Sequence, residues 1–380
     1  MKIAIPKERR AGETRVAATP DTVKKYVGLG LDVVVETGAG ASSDIPDTDY
    51  QAAGAELAPG FDAAVADADV LLTVRGLDGD QLQGLKSGAV LAGILNPHSE
   101  RERLDAYAQA GVTGFAMEFM PRITRAQSMD VLSSQSNLAG YKAVLDACAE
   151  FGRAMPMMMT AAGTIAPARV FVMGAGVAGL QAIATARRLG AIVSATDVRP
   201  VAKEQVESLG ATFVMVESEE TAEAETAGGY AKEMSEDYKR RQAELVAETL
   251  KKQDIVITTA LIPGRAAPTL VTDEMVASMK PGSVIVDLAV EQGGNVVGSK
   301  SGEVAQAHGV TIVGHVNVPG RLAADASALY AKNLLNFLTP LIDGESHALN
   351  IDWEDEIVAG TLVTKGGAIV HPALTDQAPA

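Results

Sequence analysis

The sequence predicts an α/β protein of two Rossmann-like, doubly wound domains, each with a parallel sheet, linked by long helices and with a cleft between them. Three observations support this prediction. Short apolar runs alternate with helical stretches along most of the 380 residues. A glycine-rich turn separates one such run from the helix that follows it, at Val172 to Gly179. The length also suits two domains, each large enough to bury a core.

The first domain is predicted to combine residues 1–133 with 323–380. Its predicted strands are Lys2 to Ile5, Val33 to Glu36, Val70 to Val74, Val90 to Leu95 and Gly114 to Met117, and its predicted helices include Pro20 to Leu29 and Arg101 to Ala110. Because strands and helices alternate, we expect a parallel sheet that is covered on both faces. The segment after 341 has no apolar core of its own, so we expect it to return to this domain.

The second domain is predicted over 134–322, with a long helix from about 134 to 150 leading into it and another over Ala323 to Leu341 leading out. Its predicted strands are Val170 to Met173, Ile192 to Thr196, Thr212 to Val216, Asp254 to Thr258, Ser283 to Leu288 and Thr311 to Val313. Open sheets of this kind bind ligands at the carboxyl ends of their strands.

The glycine-rich turn predicts a dinucleotide site. Gly174 permits a tight turn, Gly176 lets the backbone approach a pyrophosphate, and Gly179 lets the helix pack closely on the strand. The helix N-terminus offers free N–H groups to the anion, so Ala175 and Val177 are also expected to contact the cofactor.

Asp197 ends the next strand about twenty residues after the turn, a spacing typical of the acid that binds a ribose. Its carboxylate accepts hydrogen bonds from both ribose hydroxyls and repels a 2′-phosphate, so NAD is favoured over NADP. Val198 and Arg199 follow it as further candidate contacts. Arg199 tempers the preference, because an arginine there could meet a phosphate or stack on adenine.

Composition excludes several classes of function. The formal net charge of −16 argues against direct binding to nucleic acid or to an anionic membrane surface. The single cysteine, Cys148, excludes an intrachain disulfide and fits the cytoplasm. No apolar run approaches the roughly 20 residues of a spanning helix, so a soluble chain is expected. The five histidines are scattered without metal-ligand spacing, and no metal site is predicted.

Two segments lie outside the regular alternation. The apolar segment Met155 to Pro167 is interrupted by proline and glycine, and it predicts a hairpin packed either against another subunit or on its own. The acidic segment 217–237 is longer than a nucleotide fold requires. One alternative is a mobile loop in which Gly229, Tyr230 and Met234 close on the nucleotide or on a partner. The other is a solvated connection without a binding role.

Four stretches together resemble a known family. They are Lys7 to Ala17, Glu118 to Ser133, the glycine turn, and Ala227 to Ser235. They are similar to the NAD(H)-binding component of proton-translocating NAD(P) transhydrogenase, within a wider family shared with alanine dehydrogenase. The similarity covers essentially the whole chain, and the block from Arg122 to Ser133 is its most specific region.

The resemblance implies a homodimer that binds NAD(H) and docks onto separate NADP(H)-binding and membrane-spanning subunits. Hydride would pass directly between two nicotinamides, with Si/Re specificity, coupled to proton translocation. The chain would then lie at the cytoplasmic face of the inner membrane through its partners, without inserting directly. Many relatives continue into membrane helices, whereas this sequence stops at Ala380 in a polar tail, as in the version with a separate soluble polypeptide.

The resemblance also implies roles for single residues in hydride transfer. Gln127 would contact the dihydronicotinamide or the partner nucleotide, and Arg122 would reach the pyrophosphate or carboxamide. Asp130 and Ser133 would hold the ribose and carboxamide side. Alternatively, Arg122 and Asp130 form a surface ion pair.

Further implied contacts lie in the second domain. Ala260 and Leu261 match the family segment beneath the adenosine half. By position at strand ends, Asn317 and Asp287 are expected to face the cleft, although Asp287 could simply cap a turn.

Two other functions remain as alternatives. An amino-acid dehydrogenase needs a carboxylate-binding cation and an acid/base, which the resemblance places at Arg15, position 75 and position 96. Here position 75 is Arg75 and position 96 is Asn96, which cannot shuttle a proton, so His98 would have to substitute. The third possibility is an NAD-dependent binding module that exchanges no hydride.

Overall fold

The computed structural model describes residues 1–217, 235–262 and 264–375. The chain divides into two compact units, one formed by Met1–Gln135 with Pro319–Ala380 and the other by Ser136–Val318. The predicted boundaries, 133/134 and 322/323, lie within a few residues of these divisions.

The strands of the described residues run in chain order over β1 Lys2–Ile5, β2 Asp32–Glu36, β3 Glu56–Ala58, β4 Val70–Arg75, β5 Val90–Ile94, β6 Thr113–Ala116, β7 Met158–Thr160, β8 Gly163–Ile165, β9 Arg169–Met173, β10 Ile192–Thr196, β11 Thr212–Phe213, β12 Ile255–Thr258, β13 Val284–Asp287, β14 Val304–Ala307, β15 Val310–Val313, β16 Leu362–Lys365 and β17 Ala368–Ile369. The α-helices are α1 Pro20–Gly28, α2 Asp47–Ala52, α3 Phe61–Val65, α4 Arg101–Gln109, α5 Val131–Glu150, α6 Val177–Arg188, α7 Ala202–Ser208, α8 Glu236–Leu250, α9 Asp273–Ala277, α10 Ala323–Leu338 and α11 Glu356–Thr361.

The first unit contains an eight-stranded sheet in the order β17-β16-β6-β5-β4-β1-β2-β3. Its first six strands along the chain pair in parallel, in the order 3-2-1-4-5-6 of a doubly wound nucleotide fold. β16 adds to β6 in the antiparallel sense, with Leu362 opposite Phe115. The C-terminal segment therefore completes the sheet that the N-terminal segment begins.

The second unit contains a seven-stranded sheet in the order β11-β10-β9-β12-β13-β15-β14. Its parallel strands repeat the same 3-2-1-4-5-6 order, and β14 is an antiparallel edge strand paired with β15. β7 and β8 form a separate two-stranded hairpin.

The apolar residues that predict the strands also fill the cores, because parallel strands are covered on both faces. In the first unit, α10 buries Tyr330, Leu334 and Phe337 against the sheet, and the Phe337 ring meets that of Phe115 edge-on at 5.3 Å. In the second unit, Ala143 and Ala147 of α5 are buried in one cluster with strand and α6 residues.

The prediction of two parallel-sheet domains is confirmed. The sequence did not predict β3 or β14, which are short or partly exposed edge strands. The predicted strand Thr212 to Val216 is shorter, because β11 pairs with β10 over two residues only. The predicted helix Ala323 to Leu341 ends at Leu338 and continues as a 3₁₀ turn over Thr339–Leu341, where Pro340 removes a backbone donor. No α-helix within the described regions of the chain is long and apolar enough to cross a membrane.

Candidate nucleotide-binding site

The glycine turn joins the end of β9 to the start of α6. Gly174 has φ +107°, in the left-handed region, and a Cβ on it would lie 2.4 Å from Thr259 Oγ1. A Cβ on Gly179 would lie 1.8 Å from the carbonyl oxygen of Gly174. Glycine is therefore required at both positions for α6 to start directly behind the strand.

The space beside Gly176 is open, since a Cβ built there meets no atom of the described residues within 4 Å. Gly176 is also the N-cap of α6, and it provides no side chain to bond the first N–H groups of the helix. An open cradle at an uncapped helix N-terminus fits a pyrophosphate. These residues therefore fit the phosphate groups of a dinucleotide.

Asp197 follows β10 and lies directly beside this turn. Its Oδ2 accepts the backbone N–H of Ala175 at 2.7 Å, and its Oδ1 accepts that of Arg199 at 2.9 Å. The side chain is 6% exposed. Burial raises the pKa of Asp197, but the Arg199 guanidinium and these N–H donors outweigh burial and lower it below its usual range. Asp197 is thus an ionised carboxylate at the turn.

Apolar side chains are exposed in the loops that follow β10 and β12, the two strands that flank β9. Val198 is 83% exposed and Leu261 is 48% exposed, although neither is polar. Exposed apolar surface next to a polar cradle is typical of a ligand site. Both residues were predicted as cofactor contacts.

The Ala260 backbone is held by a residue that the sequence did not single out. Asn295 is fully buried, accepts the Ala260 N–H at 3.0 Å and donates its Nδ2 to the Ala260 carbonyl at 2.9 Å. Thr259 Oγ1 also donates to the Gly174 carbonyl at 3.2 Å. The glycine pair that precedes Asn295 marks a tight turn, but nothing in the sequence connects it to Ala260.

Asp287 anchors a turn. It is buried at the end of β13, and it accepts backbone N–H groups from Ala289 at 3.0 Å and Asn295 at 3.0 Å. Of its two predicted roles, Asp287 therefore has that of capping a turn. Asn317 has φ +44°, and its N–H donates to Glu291 Oε2 at 3.0 Å.

The predicted contacts Gly229, Tyr230 and Met234 lie outside the described residues. Both ends of the segment that contains them are held by side chains. Gln242 Oε1 accepts the Val216 N–H at 2.8 Å, and Ser235 Oγ caps α8 by accepting the Tyr238 N–H at 3.2 Å.

The block from Arg122 to Ser133 belongs to the first unit, where a 3₁₀ turn over Thr124–Met129 leads into α5. Arg122 and Gln127 are exposed. Asp130 accepts the Ser133 N–H at 3.0 Å and its hydroxyl at 2.5 Å, which caps the start of α5. Among the described residues Arg122 forms no ion pair with Asp130, so both Arg122 and Gln127 are available to a ligand.

The two arginines of the first unit that would bind a keto acid in an amino-acid dehydrogenase contact a carboxylate of the same chain. Glu13 bonds Arg15 through two contacts of 2.7 Å and 2.8 Å, and Arg75 Nε reaches Glu13 Oε2 at 3.2 Å. Burial raises the pKa of Glu13, but its hydrogen bonds with Arg15 and the two guanidinium charges lower it to about 2. Both cations therefore already have an anionic partner.

Asn96 and His98 lie beyond the end of β5. Asn96 has φ +51°, and its backbone N–H donates to the half-buried Glu118 at 2.5 Å. The His98 ring packs at 5.1 Å from the Phe119 ring. Position 96 therefore carries an amide, which cannot transfer a proton, and the ring of His98, the possible substitute, packs against an aromatic ring.

The β7–β8 hairpin exposes its apolar side chains. Met157 is 58% exposed, Met159 is 75% exposed and Ile165 is 42% exposed. These side chains therefore do not pack on their own subunit, which was one of the two predicted arrangements of the hairpin. It presents an apolar surface to solvent.

The chain is similar to known proteins over nearly its whole length. The family model for the N-terminal domain of alanine dehydrogenase/PNT matches residues 4–139, and the model for the C-terminal domain matches 143–372. The chain is 60% identical to an NAD(P) transhydrogenase subunit alpha polypeptide of Rhodospirillum rubrum over 99% of this chain and 100% of that protein. It is 32% identical to alanine dehydrogenase of Halomonas elongata, over 96% of this chain and 94% of that protein. The solved structure of transhydrogenase from Sinorhizobium meliloti matches with a TM-score of 0.89 and 57% identity, covering 97% of this chain and 100% of that chain.

Proposed function

Because the chain belongs to the alanine dehydrogenase/PNT family, we propose that it is the NAD(H)-binding subunit of a proton-translocating NAD(P) transhydrogenase. It exchanges hydride between NAD(H) on this chain and NADP(H) on a partner subunit. The identity to transhydrogenase relatives, 60% against 32% for the alanine dehydrogenase, favours this member of the family.

One observation carries the choice of NAD(H). The buried, ionised Asp197 is bonded to Ala175 of the glycine turn, which supports a ribose site at this carboxylate. A carboxylate accepts hydrogen bonds from two ribose hydroxyls and repels a 2′-phosphate. Val198 and Leu261 offer apolar surface for the adenine, and Ala260 offers a backbone that Asn295 holds in place. Gly229, Tyr230, Met234 and Asn317 remain proposed contacts.

When bound, NAD(H) would donate or accept the hydride at its nicotinamide C4. The chain needs only to bind it, orient it and exclude water, because transfer between two nicotinamides moves no proton to a substrate. Gln127 and Arg122 are exposed polar groups suited to orientation, and Asp130 with Ser133 fixes the helix that follows them. The amide at Asn96 fits the same chemistry, since no acid/base is required there.

The partners follow from the reaction. The second nucleotide must be bound by another subunit, and proton translocation must take place in a membrane-spanning one. The formal net charge of −16 disfavours direct contact with anionic lipid, so the chain would associate with the membrane through those subunits. By its family resemblance it would lie on the cytoplasmic side of the inner membrane. The exposed apolar hairpin supports a homodimer.

The test combines the purified chain with the NADP(H)-binding subunit of the same source. Hydride transfer from NADPH to an NAD analogue, followed by absorbance, is expected only when both proteins are present. Arg122→Ala and Gln127→Asn should lower the rate while NADH still binds. Turnover of NADH with pyruvate and ammonium by the chain alone would instead establish an amino-acid dehydrogenase, and NADH binding without any transfer would leave a binding module.

A further inference from the structure

The Arg199 side chain folds back onto Asp197 and binds its carboxylate as a fork. Arg199 Nε lies 2.9 Å from Oδ1 and Nη2 lies 3.1 Å from Oδ2. The backbone N–H groups of Arg199 and Ala175 donate to the same two oxygens at 2.9 Å and 2.7 Å. Each carboxylate oxygen therefore has two donors from the chain itself.

Four hydrogen bonds fill a carboxylate, which has about four acceptor positions. Two ribose hydroxyls that bond Asp197 must therefore displace two of the present donors. The N–H groups of Ala175 and Arg199 belong to the backbone and are fixed by the turn. The guanidinium is on a side chain that is 45% exposed, so it can rotate into solvent.

We propose that Arg199 is a self-inhibitory residue of the ribose subsite, whose guanidinium occupies Asp197 until the adenosine ribose of NAD(H) displaces it. This inference rests on the proposed function, in which Asp197 binds that ribose. Removal of a cation should consequently tighten the binding of an anionic dinucleotide. Simple electrostatics predicts the opposite sign, because loss of positive charge weakens the attraction of phosphate groups.

The test measures the dissociation constant of NADH by fluorescence titration of the full-length chain. Arg199→Ala is expected to lower it about two- to five-fold, the range in which exposed ion pairs contribute. Arg199→Lys keeps the charge but loses the two-pronged contact, so its dissociation constant should lie between those of wild type and Arg199→Ala. Arg153→Ala is the matched control, since it removes the same charge from an ion pair with Asp254, which precedes β12 at the opposite end of the strands. Reduced nicotinamide mononucleotide lacks the adenosine ribose, so its affinity should not change.

Three results would overturn the inference. Weaker NADH binding by Arg199→Ala would mean that the guanidinium contacts the nucleotide directly. Unchanged binding would mean that the ion pair does not compete. Loss of NADPH binding with NADH unaffected would make Arg199 a 2′-phosphate contact.

The Asp197→Asn variant separates this inference from the proposed function. If Asp197→Asn leaves NADH binding intact, the proposed ribose site itself is wrong. If Asp197→Asn weakens NADH binding and Arg199→Ala fails to tighten it, the ribose site stands and only the inference about Arg199 fails.

Discussion

The Asp197 carboxylate accepts the backbone N–H of Ala175 at 2.7 Å, so the acid that follows β10 is tied to the glycine turn that follows β9. Two features recognised separately in the sequence thus form one structure. Any change to the acid should alter the turn, and any change to the turn should alter nucleotide affinity.

Asp197→Asn should weaken NADH binding. The amide keeps the shape but replaces one acceptor oxygen by a donor, and it removes the charge that strengthens hydrogen bonds from ribose hydroxyls. We expect the dissociation constant to rise by about 10- to 100-fold, and the discrimination against NADPH to fall. Titration with both nucleotides measures this. Asp32→Asn, at an 85% exposed side chain, is the control, and an equal effect there would remove Asp197 from the site.

Gly179→Ala should destabilise the second unit and reduce NADH affinity. Alanine favours helices, but its Cβ would lie 1.8 Å from the Gly174 carbonyl oxygen, so α6 must move away from the strand. We expect a net loss of roughly 1–3 kcal/mol in the free energy of unfolding, from urea denaturation. Gly152→Ala meets no described atom within 4 Å and should cost far less. Equal stability of the two variants would contradict this packing.

Most of the parallel strands of both sheets could be predicted because their residues carry a local apolar pattern. Val170 to Met173 is apolar throughout, and glycine appears where the backbone requires it. Asn295 could not be predicted, because its role depends on contact with Ala260, which lies 35 residues earlier in the chain. The pairing of Arg75 with Glu13 was missed for the same reason, since 62 residues separate them. Edge strands such as β14 carry too weak an apolar pattern to be recognised.

Glu13→Gln should destabilise the first unit in a pH-dependent way. The pKa of Glu13 is about 2, below the 4.5 of an unperturbed glutamate, so the ionised group stabilises the fold above pH 4.5 and this contribution is lost as pH falls toward 2. The variant should therefore lose roughly 3 kcal/mol at pH 7 and clearly less at pH 3. Urea unfolding at both values measures the difference from wild type.

Glu102→Gln, an exposed change on α4, is the control for that experiment. Burial and, to a smaller extent, the Glu13 charge raise the pKa of Glu8 to about 7, so the variant also lowers the pKa of Glu8 and thereby offsets part of the loss at pH 7. At pH 3 Glu8 is protonated in both proteins and contributes nothing to the difference. A loss that does not depend on pH would contradict the role of the Glu13 charge.

Met159→Glu should dissociate the proposed dimer. Met159 is 75% exposed on the hairpin, and a charge buried in an apolar interface is costly. We expect the dimer dissociation constant to rise by about tenfold or more, as seen by light scattering during size exclusion. Val304→Glu adds the same charge at a 41% exposed residue of edge strand β14, and this variant should keep the mass of the dimer. If the hairpin variant also stays dimeric, the interface lies elsewhere.

The most direct test of the central claim follows the hydride itself. NADPH carrying deuterium at the transferred C4 position would be mixed with NAD⁺, this chain and the NADP(H)-binding subunit, and the NADH formed would be analysed by mass spectrometry. Direct transfer between nicotinamides predicts NADH that carries the deuterium, and only when both proteins are present. Loss of the label to solvent, or NADH formation without the partner, would contradict the assignment as the NAD(H) half of a transhydrogenase.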